Sequence, residues 1–219
     1  MIKYTLFLCL VVLLFTACVS SNGCPVGINV LPLYGRVKKC SAQIESDKAF
    51  LKETDKNFSD RKKASRYYTE RGWAYFYSKK PDTAMMRFNQ AWLLDSLNAD
   101  VFWGFGDLVG QQKKYKESVV FFDHSLRLNA ANPRVWESAA TSYAQLFFKT
   151  KDVSFLNKSA SFLKGAAKLE EKNPRLYAEL TAVYSYFDQK DSANKYLKIT
   201  DNLDKRAVSA EVRKIITGN

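Results

Sequence analysis

The side chains that most often carry protein chemistry are sparse in this sequence. His124 is the single histidine, and the four cysteines are Cys9, Cys18, Cys24 and Cys40. One imidazole excludes a His-rich metal site. A nucleophilic triad would have to use His124 as its base, yet His124 sits between Phe122 and the small Ser125 in a helical pattern and reads as a structural or surface residue. The glycine-bearing stretch Trp103–Gly110 (WGFGDLVG) lacks the Lys and Ser/Thr of a phosphate loop, so Gly104 and Gly106 are assigned to packing. The Glu170-Glu171 pair lies in KLEEKNP and reads as a solvated helix end. The expectation is therefore no catalytic residues, no metal, no cofactor and no enzyme.

The elements that hold these residues are expected to be helices. The chain has 219 residues, of which 47% are apolar, including 12 Tyr and 15 Phe, enough for a substantial core. Only 9 Gly and 5 Pro argue for helices on short connections rather than a turn-rich β-sandwich.

The cysteines point to an address. Lys3 is followed by the uncharged run Tyr4–Ala17, 14 residues long. As a helix this run reaches about 21 Å, short of the roughly 30 Å of a bilayer core, which suits a secretory signal peptide. Leu14-Phe15-Thr16-Ala17-Cys18 resembles the lipobox of bacterial lipoproteins, with Phe15 where Leu is more usual. The resemblance implies that residues 1–17 are removed and that Cys18 carries lipid, which anchors the chain to a membrane. Ordinary cleavage near Ala17 and an uncleaved anchor are the alternatives. Val19, where Asp often signals inner-membrane retention, leans toward the outer membrane, facing the periplasm.

Cys24 and Cys40 then remain, 16 positions apart, in a compartment that permits a disulfide. Closing that loop is worth about 3 kcal/mol in the chain-entropy model. The loop holds two Pro and two Gly, so helix is not expected to order it, and a bridge would supply the constraint. Two free thiols are the other reading.

The body of the chain repeats. Tyr68, Phe102 and Trp136 are each 34 apart, and Gly72, Gly106 and Ala140 follow four residues later. Ala84 matches Ser118, Phe88 matches Phe122, Ala91 matches Ser125, Leu94 matches Leu128 and Asn98 matches Asn132 at the same spacing. A step of 41 takes Pro133 to Pro174, Tyr143 to Tyr184 and Leu128 to Leu169. This pattern resembles the tetratricopeptide repeat, a helix–turn–helix unit of 34 residues. The units read Tyr68, Gly72, Tyr75, Ala84, Phe88, Ala91; Phe102, Gly106, Val109, Ser118, Phe122, Ser125; Trp136, Ala140, Tyr143, Ser159, Leu163, Ala166; and Tyr177, Thr181, Tyr184, Ala193, Leu197, Thr200. Small residues let helices approach at crossings, and large ones opposite fill the gaps.

The expected fold is thus all-α, a right-handed α-α superhelix of about four tetratricopeptide repeats with a capping helix. The expected divisions are a signal peptide at 1–17, a lipid-anchored linker at 18–45 and a leading helix at 46–63. The repeats follow at 65–98, 99–132, 133–173 and 174–206, then a cap and tail at 207–219. Ala207, Val208, Val212 and Ile215 form the apolar stripe of that cap. The third unit carries seven extra residues near Leu146–Leu156. They read either as a protruding element or as longer helices, and five apolar residues in eleven favour the latter.

The resemblance implies a concave groove, lined by the first helix of each unit, that takes peptide segments of partner proteins. Residues expected there are Arg66, Thr69, Trp73 and Phe76; Asp100, Trp103 and Asp107; Arg134, Glu137 and Thr141; and Arg175, Ala178 and Ala182. Trp73 and Trp103 serve either as binding anchors or as inter-repeat core. Thr69, Trp73 and Gly104 occupy places of the basic-and-Asn clamp that some family members use for C-terminal carboxylates, so such tails are not implied. The net charge is +12, and Arg36 to Arg66 hold ten Lys and Arg against five acids, a stretch suited to anionic headgroups near the anchor. Export makes nucleic acid an unsuitable partner, and no base-reading motif is present. The resulting expectation is a membrane-anchored scaffold or assembly factor of the bacterial cell envelope that binds other envelope proteins. An envelope receptor taking a small molecule or glycan in an aromatic groove is the alternative.

Overall fold

The computed structural model describes residues 23–218. Signal-peptide cleavage and lipidation at Cys18 therefore fall outside the described residues. Ten α-helices follow one another: α1 (Ser41–Asn57), α2 (Arg61–Tyr77), α3 (Pro81–Leu94), α4 (Ala99–Gln111), α5 (Tyr115–Leu128), α6 (Pro133–Thr150), α7 (Val153–Leu169), α8 (Pro174–Tyr186), α9 (Lys190–Asp204) and α10 (Ala210–Thr217). From α2 to α9 they pack as antiparallel pairs, α2 with α3, α4 with α5, α6 with α7 and α8 with α9. Contacts also run from α2 to α4 and from α4 to α6, so the first helices of successive pairs form one layer. There are no strands among the described residues.

Local chemistry starts and stops these helices. Asn98, Asn132 and Asn173 precede α4, α6 and α8, and each side-chain oxygen accepts from the backbone N–H two residues on. Pro133 and Pro174 then occupy first-turn positions, where the missing N–H costs nothing. The turns inside the pairs pass through left-handed backbone at Lys79, Lys113, Lys151 and Asp188. In the first two, the N–H of the next residue, Lys80 or Lys114, returns to the carbonyl of Tyr75 or Val109 and closes the helix end.

Between layers, small residues face large ones. Phe88, Phe105 and Phe122 are among the largest fully buried side chains. A Cβ on Gly106 would stand 2.6 Å from Cδ1 of Phe122, so this crossing has room only for glycine. In the third unit the corresponding residues are Ala140 and Leu163, both buried in one cluster. A smaller ring-free side chain leaves space for the extra methyl.

Three expectations need correction. The leading helix spans Ser41–Asn57 rather than 46–63, because Gln43 Oε1 accepts the Cys40 N–H and starts it early. Phe58 then turns extended, and Asp60, accepting from Lys63 N–H, begins α2 at Arg61, ahead of the expected unit start at residue 65. At the other end α10 begins only at Ala210, capped by Ser209. Of the expected stripe, Val208 is buried just ahead of α10 and Val212 packs against the core, but Ile216 is buried in place of Ile215, which is 40% exposed. The extra residues of the third unit lengthen α6 to 18 residues and α7 to 17, against 13 and 14 for α4 and α5. Leu146 is buried there, Tyr143 and Phe155 stack with centroids 6.4 Å apart, and Phe148 meets Tyr186 of α8 edge-on.

The segment before α1 holds no α-helix, only two short 3-10 helices at Ile28–Val30 and Pro32–Arg36, and contacts with α3 order it. A Cys24–Cys40 disulfide closes it, with Cα atoms 5.1 Å apart. Inside the loop, Ile28 and Tyr34 are buried beside α3. Asn89 of α3 holds the loop backbone at three points: its amide donates to the carbonyls of Asn29 (2.9 Å) and Leu31 (2.8 Å), and its oxygen accepts from the Tyr34 N–H. The Lys39 ammonium lies 3.2 Å from the Tyr34 ring centroid. Burial, and then the Asp47 charge, push the Tyr34 hydroxyl well above its ordinary pKa.

Candidate functional site

The layer formed by α2, α4, α6 and α8 carries two neighbouring concavities. One, of about 370 Å³, is walled by Phe76, Asp107, Gln111, Ser138, Thr141 and Gln145. The other, of about 290 Å³, lies between α6 and α8 and is mainly apolar, with Ala144, Phe148, Leu163, Ala182 and Tyr186 in its wall and Glu179 beside them. Thr141 and Gln145 belong to both, so the two form a continuous trough. Helical spacing explains this sharing, because residues four apart project from one face.

Two carboxyl groups lie in the trough walls, Asp107 in the first concavity and Glu179 in the second, and the Glu137 carboxylate is near both. Burial drives the Asp107 carboxyl up to about 7, and the nearby Glu137 charge adds to the rise. The Ser138 hydroxyl and the Trp103 indole act in the opposite sense, and the indole N–H itself donates to Ser138 Oγ at 3.1 Å. Glu179 is likewise pushed up to about 7, first by burial and then by Glu137, with Arg175 opposing. Arg175 forms an ion pair with Glu137, whose side chain is 16% exposed. Half-buried carboxylates with too little compensating charge favour a proton or another cation.

Asp107 and Thr141 wall the first concavity together with Phe76, while Ala182 walls the second. Arg66, Asp100, Arg134 and Arg175 are exposed near the starts of their helices. Asp100 Oδ1 accepts from Asn132 at 3.5 Å, linking α4 to the cap of α6.

Thr69 departs from its expected place in the groove. It is 4% exposed, its hydroxyl donates to the Ser65 carbonyl, and it accepts from the Asn98 side chain at 3.1 Å. Its role is to join α2 to the cap of α4. Ala178 is buried as well. Trp73 and Trp103 lie against each other with centroids 4.2 Å apart, and Trp73 also meets Phe88 edge-on at 5.3 Å. Both indoles are partly buried, so they form a wall between the first two units.

Ser138 and Glu179 were not among the expected groove residues. They are 41 apart, the same step as Pro133 to Pro174, and so occupy one register of α6 and α8. That register falls between the positions chosen from sequence, and only the depth of the trough reveals it. His124 is partly buried against Phe102, with ring centroids 4.0 Å apart, and Arg127 reaches its Nδ1. Burial, then Arg127 and Arg36, lower its pKa. Among the described residues, no group of three or more His, Cys, Asp or Glu side chains could hold a metal ion. No helix among them is long and apolar enough to cross a membrane.

Stacked antiparallel pairs with an inner trough define a helical-repeat solenoid by architecture. The particular fold is the tetratricopeptide-repeat solenoid. Among solved structures, the tetratricopeptide-repeat protein YrrB, described as having an unusual peptide-binding site, is similar with a TM-score of 0.61 and 18% identity, covering 77% of this chain and 80% of its own. PilF of Pseudomonas aeruginosa gives 0.55 at 15% identity, covering 70% and 72%. MamA gives 0.57 at 14% identity, covering 73% and 87%. No protein-family model matches the chain, and no curated protein matches it.

Proposed function

We propose that this protein is a lipid-anchored, non-enzymatic scaffold or assembly factor of the bacterial cell envelope, whose trough holds extended segments of other proteins. The observation that carries the reading is the pair of concavities sharing Thr141 and Gln145, a shape suited to an extended chain with side chains entering successive sockets. The peptide-binding site described for YrrB agrees with it. The lipobox-like sequence before Cys18 supports anchorage. A disulfide at Cys24–Cys40 suits an oxidising compartment such as the periplasm.

A photo-cross-linking residue at Thr141 tests the groove directly. In envelope fractions it should yield adducts with other proteins, whereas the same residue at Val120, 55% exposed on α5, should not. Equal adducts at both positions, or none at Thr141, refute a trough-bound partner. Anchorage is tested separately: Cys18→Ala should abolish fatty-acid labelling and prevent maturation, and an unchanged labelled product would refute it.

A further inference from the structure

We propose that the segment held in the trough presents a Lys or Arg side chain beside an aliphatic or aromatic one, with the cation along Asp107, Glu137 and Glu179 and the apolar group in the concavity between α6 and α8. This rests on the peptide-trough reading and adds to it the chemistry of the occupant. Charge distribution is the first argument. The chain has 34 Lys and Arg against 22 acids, yet α4 contains no Lys or Arg while holding Asp100 and Asp107. The basic residues of α6 are Arg134 and Lys149, next to its two ends, and α8 has only Arg175 at its second position. The middle of the trough is thus acidic in a strongly basic protein, and Arg175, its nearest guanidinium, is engaged with Glu137. Opposite charge on a partner is the usual complement of such a surface.

The arrangement of the carboxyls is the second argument. They do not converge on a point that could hold a metal ion. They succeed one another along three adjacent helices, as the side chains of an extended cationic segment would meet them. Asp107 is faced by Glu137, Ser138 and Trp103, and Glu179 by Glu137 and Arg175. The rise of both carboxyls to about 7 reflects that unbalanced burial, and an incoming ammonium or guanidinium relieves it. The third argument is the apolar concavity itself, which places Phe148, Ala182 and Tyr186 next to Glu179. A purely polar cation leaves that surface wet, whereas a neighbouring Leu, Val or Phe side chain covers it.

A phage-displayed library of random dodecapeptides, panned on the full chain in detergent at pH 8, provides the test. Enriched sequences should carry Lys or Arg within three positions of an aliphatic or aromatic residue. A synthetic peptide of the winning sequence should bind the parent protein more weakly at pH 6 than at pH 8, and should bind Glu179→Gln at least tenfold more weakly than the parent at pH 8. Glu179→Lys should turn selection toward acidic peptides, a reversal that a merely structural role for Glu179 cannot produce. Circular dichroism melts confirm that each variant is folded. Should either fail to fold, Asp107→Asn and Ala182→Trp probe the cationic and apolar contacts in its place, and each should weaken binding. Enrichment of acidic or uncharged peptides overturns the proposed chemistry and leaves the peptide trough standing. No enrichment at all removes both.

Discussion

The ring of Phe88 occupies the space that a side chain on Gly104 would need: a Cβ there would lie 2.5 Å from Cε1 of the ring. Gly72 meets the same ring from α2, where a Cβ would lie 2.6 Å away. One aromatic ring is therefore clasped by the first helices of two successive units. Gly104→Ala gains about 1 kcal/mol of helix propensity, but forcing a methyl into filled space costs about 1–3 kcal/mol. The variant should be less stable in urea, and Phe88→Leu should absorb most of that loss in a double-mutant cycle. An additive double variant would show that the ring is not the obstacle.

Asn89 is fully buried and satisfies three backbone groups of the disulfide loop. Asn89→Leu leaves them without partners, at about 1–3 kcal/mol for each group that water cannot reach. Hydrogen exchange should show the amides between residues 27 and 36 losing protection while those of α8 and α9 keep theirs. Uniform loss across the chain would mean that Asn89 serves the core and not the loop.

Reduction of Cys24–Cys40 should lower stability by about 3 kcal/mol in the chain-entropy model. The paired Cys24→Ser and Cys40→Ser variant should show the same decrease by chemical denaturation and retain the helical signal of the repeats. A collapse of that signal would show that the solenoid depends on the bridge.

Lys113 adopts φ +61° in the turn between α4 and α5, a region open to glycine without a Cβ penalty. Lys113→Gly should therefore stabilise the chain by about 1 kcal/mol, and Lys113→Val should destabilise it. Denaturation midpoints moving in the same direction for both would contradict this.

Asp107 and Glu179 titrate near 7 in the folded chain and near 4 when unfolded. The folded state then binds their protons more tightly. Their contribution is fully present below the unfolded value and is lost as pH rises from about 4 through about 7. Glu179→Gln should flatten that part of the stability profile and leave the variant more stable than the parent at pH 8. Parallel profiles for parent and variant between pH 4 and 8 would refute the assignment.

Much of the fold was legible from the chain because its repeat is written in side-chain volume. Gly72 with Phe88 and Gly106 with Phe122 announce close helix crossings, and the 34-residue step orders them. The pairing of α2 through α9 follows from that ruler. Boundaries were less legible at the ends, where no neighbouring repeat supports the pattern. There, single contacts such as Gln43 with the Cys40 N–H, or Ser209 with Val212, decide where a helix begins.

By itself the sequence determined the type and order of these elements, since volume periodicity and capping residues act over a few turns of chain. Which polar residues face the trough depended on tertiary structure. Thr69 and Trp73 share a predicted face, yet Asn98, the cap of α4, draws Thr69 into a buried hydrogen bond, and Trp103 draws Trp73 into a wall. Ser138 and Glu179 gained their place from the distance between α4, α6 and α8. The raised carboxyls of Asp107 and Glu179 arise for the same reason, because desolvation depends on what neighbouring helices cover.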